Sequence, residues 1–201
     1  MSALTQQPDF QIPRLPVRRF TIAEYHQMID TGILGEDDKV ELLDGWIVPK
    51  MTRKPPHDAL LGIIDDAIRD LLPKTWKVRV QSAITTADSE PEPDLAVVRG
   101  PMSRYFSCYP HPSDVGLVVE VADSSLEKDR QEKGLIYAAA GIACYWIVNI
   151  AEQMVEVYSD PAPTEFRLRM DFSTGQALPL SLDGQELGTI LVRDLFAGLS
   201  S

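Results

Sequence analysis

Glu120 stands inside Leu117-Val118-Val119-Glu120-Val121-Ala122, a run apolar enough for a central strand. A carboxylate in such a run must stay hydrated, meet a partner or bind a cation, because an unpaired buried charge is expensive. A second acid, Asp94, follows Pro93 at the entry of another apolar run, Leu95-Ala96-Val97-Val98. Two acids on neighbouring strands can share one ion. Carboxylate oxygens, a main-chain carbonyl and waters are the usual surroundings of Mg²⁺, and Mn²⁺ accepts the same oxygen ligands. Lys133 follows downstream in a helical segment, where its ammonium could polarise a phosphate or orient an attacking water beside the metal.

Each residue also has a plainer reading. An Asp after Pro is commonly a turn or cap residue, and Lys133 in Leu126-Glu127-Lys128-Asp129-Arg130-Gln131-Glu132-Lys133 fits a solvated helix face with Asp129 as its partner. Period-two alternation decides what the strands must do. It puts Val118, Glu120 and Ala122 on one face and Leu117, Val119 and Val121 on the other. Asp94 and Glu120 are therefore expected close enough to share an ion, with the Val121 carbonyl turned toward it. Lys133 shares a helical stripe with Leu126, Arg130 and Tyr137 that would face the strands.

The elements that must position these groups read as follows. Thr21 with Glu24 forms a capping box for a short helix ending near Asp30. Lys39 to Leu43, Asp44-Gly45 and Trp46 to Val48 form a hairpin. After Pro55-Pro56, the spacing of Leu60, Leu61, Ile63, Ile64, Ala67, Ile68, Leu71 and Leu72 predicts a helix up to Pro73. Strands are expected over Trp76 to Thr86, Leu95 to Val98, Leu117 to Val121, Cys144 to Ile150, Val155 to Tyr158 and Phe166 to Met170. A helix over Leu126 to Ala140 ends at Gly141, and another closes the chain near Val192 to Phe196. A strand, helix, strand crossover over 116–150 makes the sheet mixed. Residues 1–19, with three prolines, form an arm, and 20–201 a single domain.

The 201 residues carry 30 acids against 19 Lys and Arg, a net charge of −11. That balance argues against broad, nonspecific adhesion to nucleic acid, although a local basic face can coexist with an acidic remainder. Arg99, Arg104, Lys128 and Arg130 are the cations expected to form it. No apolar stretch approaches a membrane span and the N-terminus lacks a signal-peptide centre, so a cytoplasmic chain without membrane contact is expected. Cys108 and Cys144 lack metal-ligand spacing, which disfavours zinc.

Taken in order, the segments Glu41-Leu42-Leu43-Asp44-Gly45, His57, Glu92-Pro93-Asp94-Leu95, Glu120-Val121-Ala122-Asp123-Ser124-Ser125, Asp129-Arg130-Gln131-Glu132-Lys133, Tyr137-Ala138-Ala139-Ala140-Gly141 and Tyr145-Trp146-Ile147-Val148 resemble the Uma-two family of endonucleases, placed with the PD-(D/E)XK restriction-endonuclease-like proteins. The resemblance runs from Thr21 to Phe196. It implies an α/β (α+β) restriction-endonuclease-like core, with a mixed central sheet flanked by helices. It also implies Mg²⁺-dependent phosphodiester cleavage with Asp94 and Glu120 as metal ligands, Lys133 as the catalytic lysine and Glu41 contributing from the helix-hairpin region. Two positions depart from the pattern. Ala122 stands where a strand-borne E-x-K would have its lysine, which Lys133 replaces from the following helix. Trp46 stands where the pattern often continues with an acid.

The expected partner is nucleic acid, DNA in particular, and the expected assembly a homodimer. Two alternatives stay open: a catalytically inactive binding or regulatory module on the same fold, and a hydrolase of some other phosphate ester. Among lesser candidates, His57 could approach the site from its helix start, and Gln81 could touch substrate or water. Tyr145-Trp146 reads as core packing. Ser124-Ser125 has no histidine at a spacing that suggests a serine hydrolase.

Overall fold

The two apolar runs that follow Asp94 and contain Glu120 pair with each other. In the computed structural model, which describes residues 17–35 and 37–199, they are β4 (Leu95–Arg99) and β5 (Val115–Ala122), antiparallel with Leu95 opposite Val119 and Ala96 opposite Val118. Extending that register by one step sets Asp94 against Glu120. Chain order before them gives α1 (Ile22–Asp30), the hairpin β1 (Val40–Leu43) and β2 (Trp46–Pro49), α2 (Pro55–Leu71) and β3 (Trp76–Val80). The six-stranded sheet runs β3-β4-β5-β6-β7-β8, with β6 (Cys144–Asn149), β7 (Met154–Ala162) and β8 (Glu165–Ser173) completing it. All neighbours are antiparallel except β5 and β6, which are parallel. This is the mixed α+β architecture expected from the sequence.

Both faces of β5 are covered, which is why its sequence is a nearly unbroken apolar run. Leu117, Val119 and Val121 pack with α2 residues Leu60, Leu61, Ile64 and Ile68 on one side. Val118 and Ala122 pack with Tyr137, Ile142, Tyr145 and Ile147 on the other. Tyr145 and Trp146 are core residues. The Thr21–Glu24 capping box forms as the sequence predicts. At the β1–β2 turn both Asp44 and Gly45 have positive φ, and a Cβ on Gly45 would lie 2.6 Å from Arg19 Cβ, so only glycine fits. Phe20 donates its N–H to the Gly45 carbonyl, and Arg19 pairs with Asp44. The arm expected over 1–19 is described only from Val17.

Three expectations need correction. The strand expected to run to Thr86 ends at Val80, because Gln81 takes a positive φ of 48° and turns the chain. The hairpin β9 (Ala177–Leu182) and β10 (Gln185–Leu191) was not anticipated; it packs with α5 (Val192–Leu195) over the α2 face. The helix expected over Leu126 to Ala140 is not uniform: α3 (Leu126–Lys128) leads into a π-helical turn (Asp129–Lys133) and then α4 (Gly134–Ala139). Gly134 N–H donates to the Asp129 carbonyl, five residues back, and the Tyr145 hydroxyl donates to that carbonyl at 3.1 Å. A tertiary partner thus supports the widened turn. Among the described residues no helix is long and apolar enough to cross a membrane.

Candidate active site

Four side chains from four segments meet in one cavity of about 60 Å³: Glu41 from β1, Asp94 at the entry of β4, Glu120 from β5 and Lys133 from the π turn. All four are buried. Lys133 Nζ donates to Glu120 Oε1 at 2.8 Å and lies 3.8 Å from Glu41 Oε2. The Tyr137 hydroxyl donates to the same Glu120 oxygen at 2.8 Å. Lys128 Nζ donates to Glu41 Oε1 at 3.1 Å. The acid inside the apolar strand therefore has a cation and a hydroxyl as partners, and the stripe that carries Lys133 and Tyr137 does face the sheet.

Asp94 is held from a second direction. Its Oδ2 accepts the Val121 N–H at 2.9 Å and lies 3.1 Å from His57 Nε2, while His57 Nδ1 lies 3.2 Å from Asp58 Oδ1. Acids at both ring nitrogens favour the doubly protonated imidazole. Burial opposes charge on His57, but the Asp94 carboxylate outweighs it and holds the ring above its ordinary range. The same contact, against the opposing effect of burial, keeps Asp94 below the usual carboxylate range. Ala122 offers its carbonyl to Ile150 N–H on the β6 side. Polar groups alternate sides along a strand, which sets the Val121 carbonyl on the β4 side.

Burial pushes the Glu120 carboxyl up to about 8 against the pull of Lys133. Burial alone would lower Lys133, but Glu120, Glu41 and Asp129 overcome it and keep the ammonium charged. Asp129, which accepts the Ser125 hydroxyl at 2.6 Å, is raised by burial to about 6.

The oxygens that a divalent cation could take are those with the weakest partners. Among the described residues Asp94 Oδ1 meets only Arg53 Nε, at 3.9 Å, and Glu120 Oε2 only the Asp94 N–H, at 3.4 Å, so each acid keeps one loosely held oxygen. Among the described residues no three His, Cys, Asp or Glu side chains form a ready metal cage.

Over residues 22–189 the sequence matches the model of the Uma2 family, described as "Putative restriction endonuclease". The chain belongs to the Uma2 family. Its fold is similar to the crystal structure of "a putative nuclease belonging to DUF820 from Anabaena variabilis ATCC 29413", at a TM-score of 0.64 and 18% identity, covering 89% of this chain and 98% of that one. A search of curated proteins found no match. Membership in Uma2 supports, at a coarse level, a nuclease-type hydrolase with a nucleic-acid substrate.

The basic face of this Uma2 chain is not where the sequence suggested. Arg99, at the far end of β4 from Asp94, makes two hydrogen bonds to Asp183 at 2.6 and 2.9 Å and lies over Trp76. Arg104 binds Asp114, and Arg130 turns to Glu156 on β7. Of the four expected cations only Lys128 lines the cavity; Lys50, Arg53 and Lys54 supply the rest of its basic rim. Acidic partners distant in sequence drew the three arginines away. His57 and Tyr137 contact Asp94 and Glu120 directly, which their types alone did not suggest. For Tyr137 the signal was available, since it lies one turn beyond Lys133. Gln81 does not line the cavity.

Arg130 anchors the π turn instead. Its Nε donates to Glu156 Oε2 at 3.0 Å, its Nη2 to Oε1, and Tyr158 and Arg169 complete the set around a fully buried carboxylate. Burial favours protonation of Glu156, but Arg130, Tyr158 and Arg169 outweigh it and hold its pKa below the ordinary value. A depressed acid contributes stability above the ordinary carboxyl value, here 4.5, and loses it as pH falls through the folded value. Arg130→Met is expected to destabilise the fold by about 1.5 to 3 kcal/mol at neutral pH, the scale of hydrogen bonds lost from a charged group, because Tyr158 and Arg169 still hold Glu156. Glu156→Gln should flatten the acid limb of stability against pH. Urea midpoints measured across pH test both, and unchanged midpoints would remove this role.

Proposed function

We propose that this chain is a metal-dependent endonuclease that hydrolyses phosphodiester bonds of DNA, with Mg²⁺ or Mn²⁺ held by Asp94 and Glu120. The observation that carries this reading is the convergence of Asp94, Glu120, Glu41 and Lys133 on one small cavity, with a loosely held oxygen on each of the first two acids. A bound ion would polarise the scissile phosphate and acidify a water, the general contribution of such ions to hydrolysis.

The chain's own groups do the rest. His57 and the Val121 N–H fix Asp94 Oδ2, so that Oδ1 is the oxygen left for the ion. Tyr137 and Lys133 together hold Glu120 Oε1. The Lys133 ammonium balances the acids and can donate to a phosphate oxygen as negative charge grows there. Glu41 keeps Lys128 and Lys133 at the cavity. Water adds to phosphorus, the ester oxygen leaves, and the proton lost from water balances the one gained by the leaving alkoxide.

The test is a cleavage screen of single-stranded, double-stranded and branched DNA and RNA with Mg²⁺ or Mn²⁺, beside Glu120→Ala. We expect internal cuts in DNA that need the ion and vanish in the variant. The inactive-module alternative draws on the net charge of −11. DNA that binds and is never cut with either ion would establish that alternative.

A further inference from the structure

The segment Lys50-Met51-Thr52-Arg53-Lys54 joins β2 to α2 and supplies three of the cations that line the cavity. Each reaches a different acid at its rim. Lys50 Nζ lies 2.6 Å from Glu92 Oε2, Arg53 Nε 3.9 Å from Asp94 Oδ1, and Lys54 Nζ 2.9 Å from Asp123 Oδ2. The three cations thus span the opening from the entry of β4 to the residue after β5. They differ in kind from Lys133, whose side chain is 9% exposed; theirs are 23%, 34% and 62% exposed. The Lys54–Asp123 pair, the most exposed of the three, is worth only about 0–1 kcal/mol, so a phosphate can replace that carboxylate at little cost, and the other two cations keep part of their surface open to a ligand.

Two further features point to a strand of phosphates as the ligand. A cavity of about 60 Å³ has space for an ion and a water or two but cannot enclose a nucleotide, so the substrate must lie across the opening. The segment ends in Pro55-Pro56 at the first positions of α2. Prolines there remove N–H groups with which a helix start would hold an anion. Anion binding at this rim therefore falls to the side chains.

We propose that Lys50, Arg53 and Lys54 form a phosphate clamp that receives a polynucleotide strand across the site, binding the phosphates on either side of the scissile one. The clamp rests on the endonuclease reading and deepens it, by naming the side chains that would hold the DNA backbone on either side of the cut. Backbone contacts carry no base information, so binding is indifferent to sequence.

The test uses the full chain carrying Glu120→Gln, so that substrate is bound and not cut, and measures fluorescence anisotropy of labelled single- and double-stranded DNA against NaCl without divalent ions. Adding Lys50→Gln and Lys54→Gln is expected to weaken binding about tenfold or more for unrelated sequences alike. It should also reduce the magnitude of the salt slope by about 1.4 to 1.8, at about 0.7 to 0.9 per cation. Arginine at both positions should restore the slope, and Arg99→Gln with Arg104→Gln should leave it unchanged. A slope untouched by the double change, with cleavage by the unmodified chain intact, overturns the clamp and keeps the endonuclease. The expected reduction of slope, with no cleavage by the unmodified chain under Mg²⁺ or Mn²⁺, keeps the clamp and overturns the endonuclease. Failure of every DNA to bind overturns the clamp.

Discussion

Glu120→Gln is expected to lower DNA cleavage by about 10³-fold, the size of loss seen when a charge-stabilising group leaves a water-excluded site, while the protein stays folded. The amide keeps the shape of the carboxylate but cannot hold a divalent ion with the same charge. Folding is spared because Gln has the same shape and keeps an oxygen for the Lys133 and Tyr137 donors, while the burial that pushes the Glu120 carboxyl up makes the neutral amide easy to accommodate. The sign of the pH effect follows. A group raised in the folded state contributes most below its ordinary value of 4.5, and its contribution is lost as pH rises through about 8. Without divalent ions, the unmodified chain should lose stability progressively from about pH 5 to about pH 8, and Glu120→Gln should remove most of that decline. Mg²⁺ should restore alkaline stability only where Glu120 is present. Thermal unfolding across pH, with and without Mg²⁺, reads this directly. A variant that still cuts DNA at the normal rate would show that Glu120 is not a metal ligand.

Lys133→Met carries the second large effect. It removes the ammonium that lies 2.8 Å from Glu120 and 3.8 Å from Glu41, and leaves the acids of the cavity to repel one another. Cleavage should fall by about 10² to 10³-fold, because the group lost balances charge at the reacting phosphate. Mg²⁺ binding should persist, since Asp94 and Glu120 remain, but it should need a higher pH, because Glu120 without its ammonium holds its proton more tightly. Stability should fall by up to about 3 kcal/mol at alkaline pH, the scale of a broken buried pair, and by less where Glu120 takes up a proton. Single-turnover cleavage and Mg²⁺ titration calorimetry at two pH values separate the loss of chemistry from the loss of ligand. Turnover at the rate of the unmodified chain would end the assignment of Lys133.

The centre of the site was legible because strand alternation is a short-range rule. It put Glu120 on one face of β5, and the antiparallel pairing of two apolar runs brought Asp94 beside it. Lys133 was legible from its stripe with Tyr137. What escaped depends on partners far along the chain. Nothing local to Arg99 or Arg130 announces Asp183 or Glu156, so their charges were assigned to solvent and substrate. The β9–β10 hairpin is different, since Asp183-Gly184 is the same turn signal that marked Asp44-Gly45, and both pairs have positive φ. The π turn has no counterpart signal, because its five-residue bond is supported by the hydroxyl of Tyr145, on another element.

That turn makes the site's lysine a matter of chain length as much as of residue type. Lys128 and Lys133 are five positions apart, which on a regular α-helix would aim them about 140° away from each other. With the π turn between them, both reach Glu41, at 3.1 and 3.8 Å. A π turn is an α-helix with one residue inserted. Deleting Gln131, which would return the turn to a regular α-helix, should therefore swing one of the two lysines off Glu41 although neither lysine is changed.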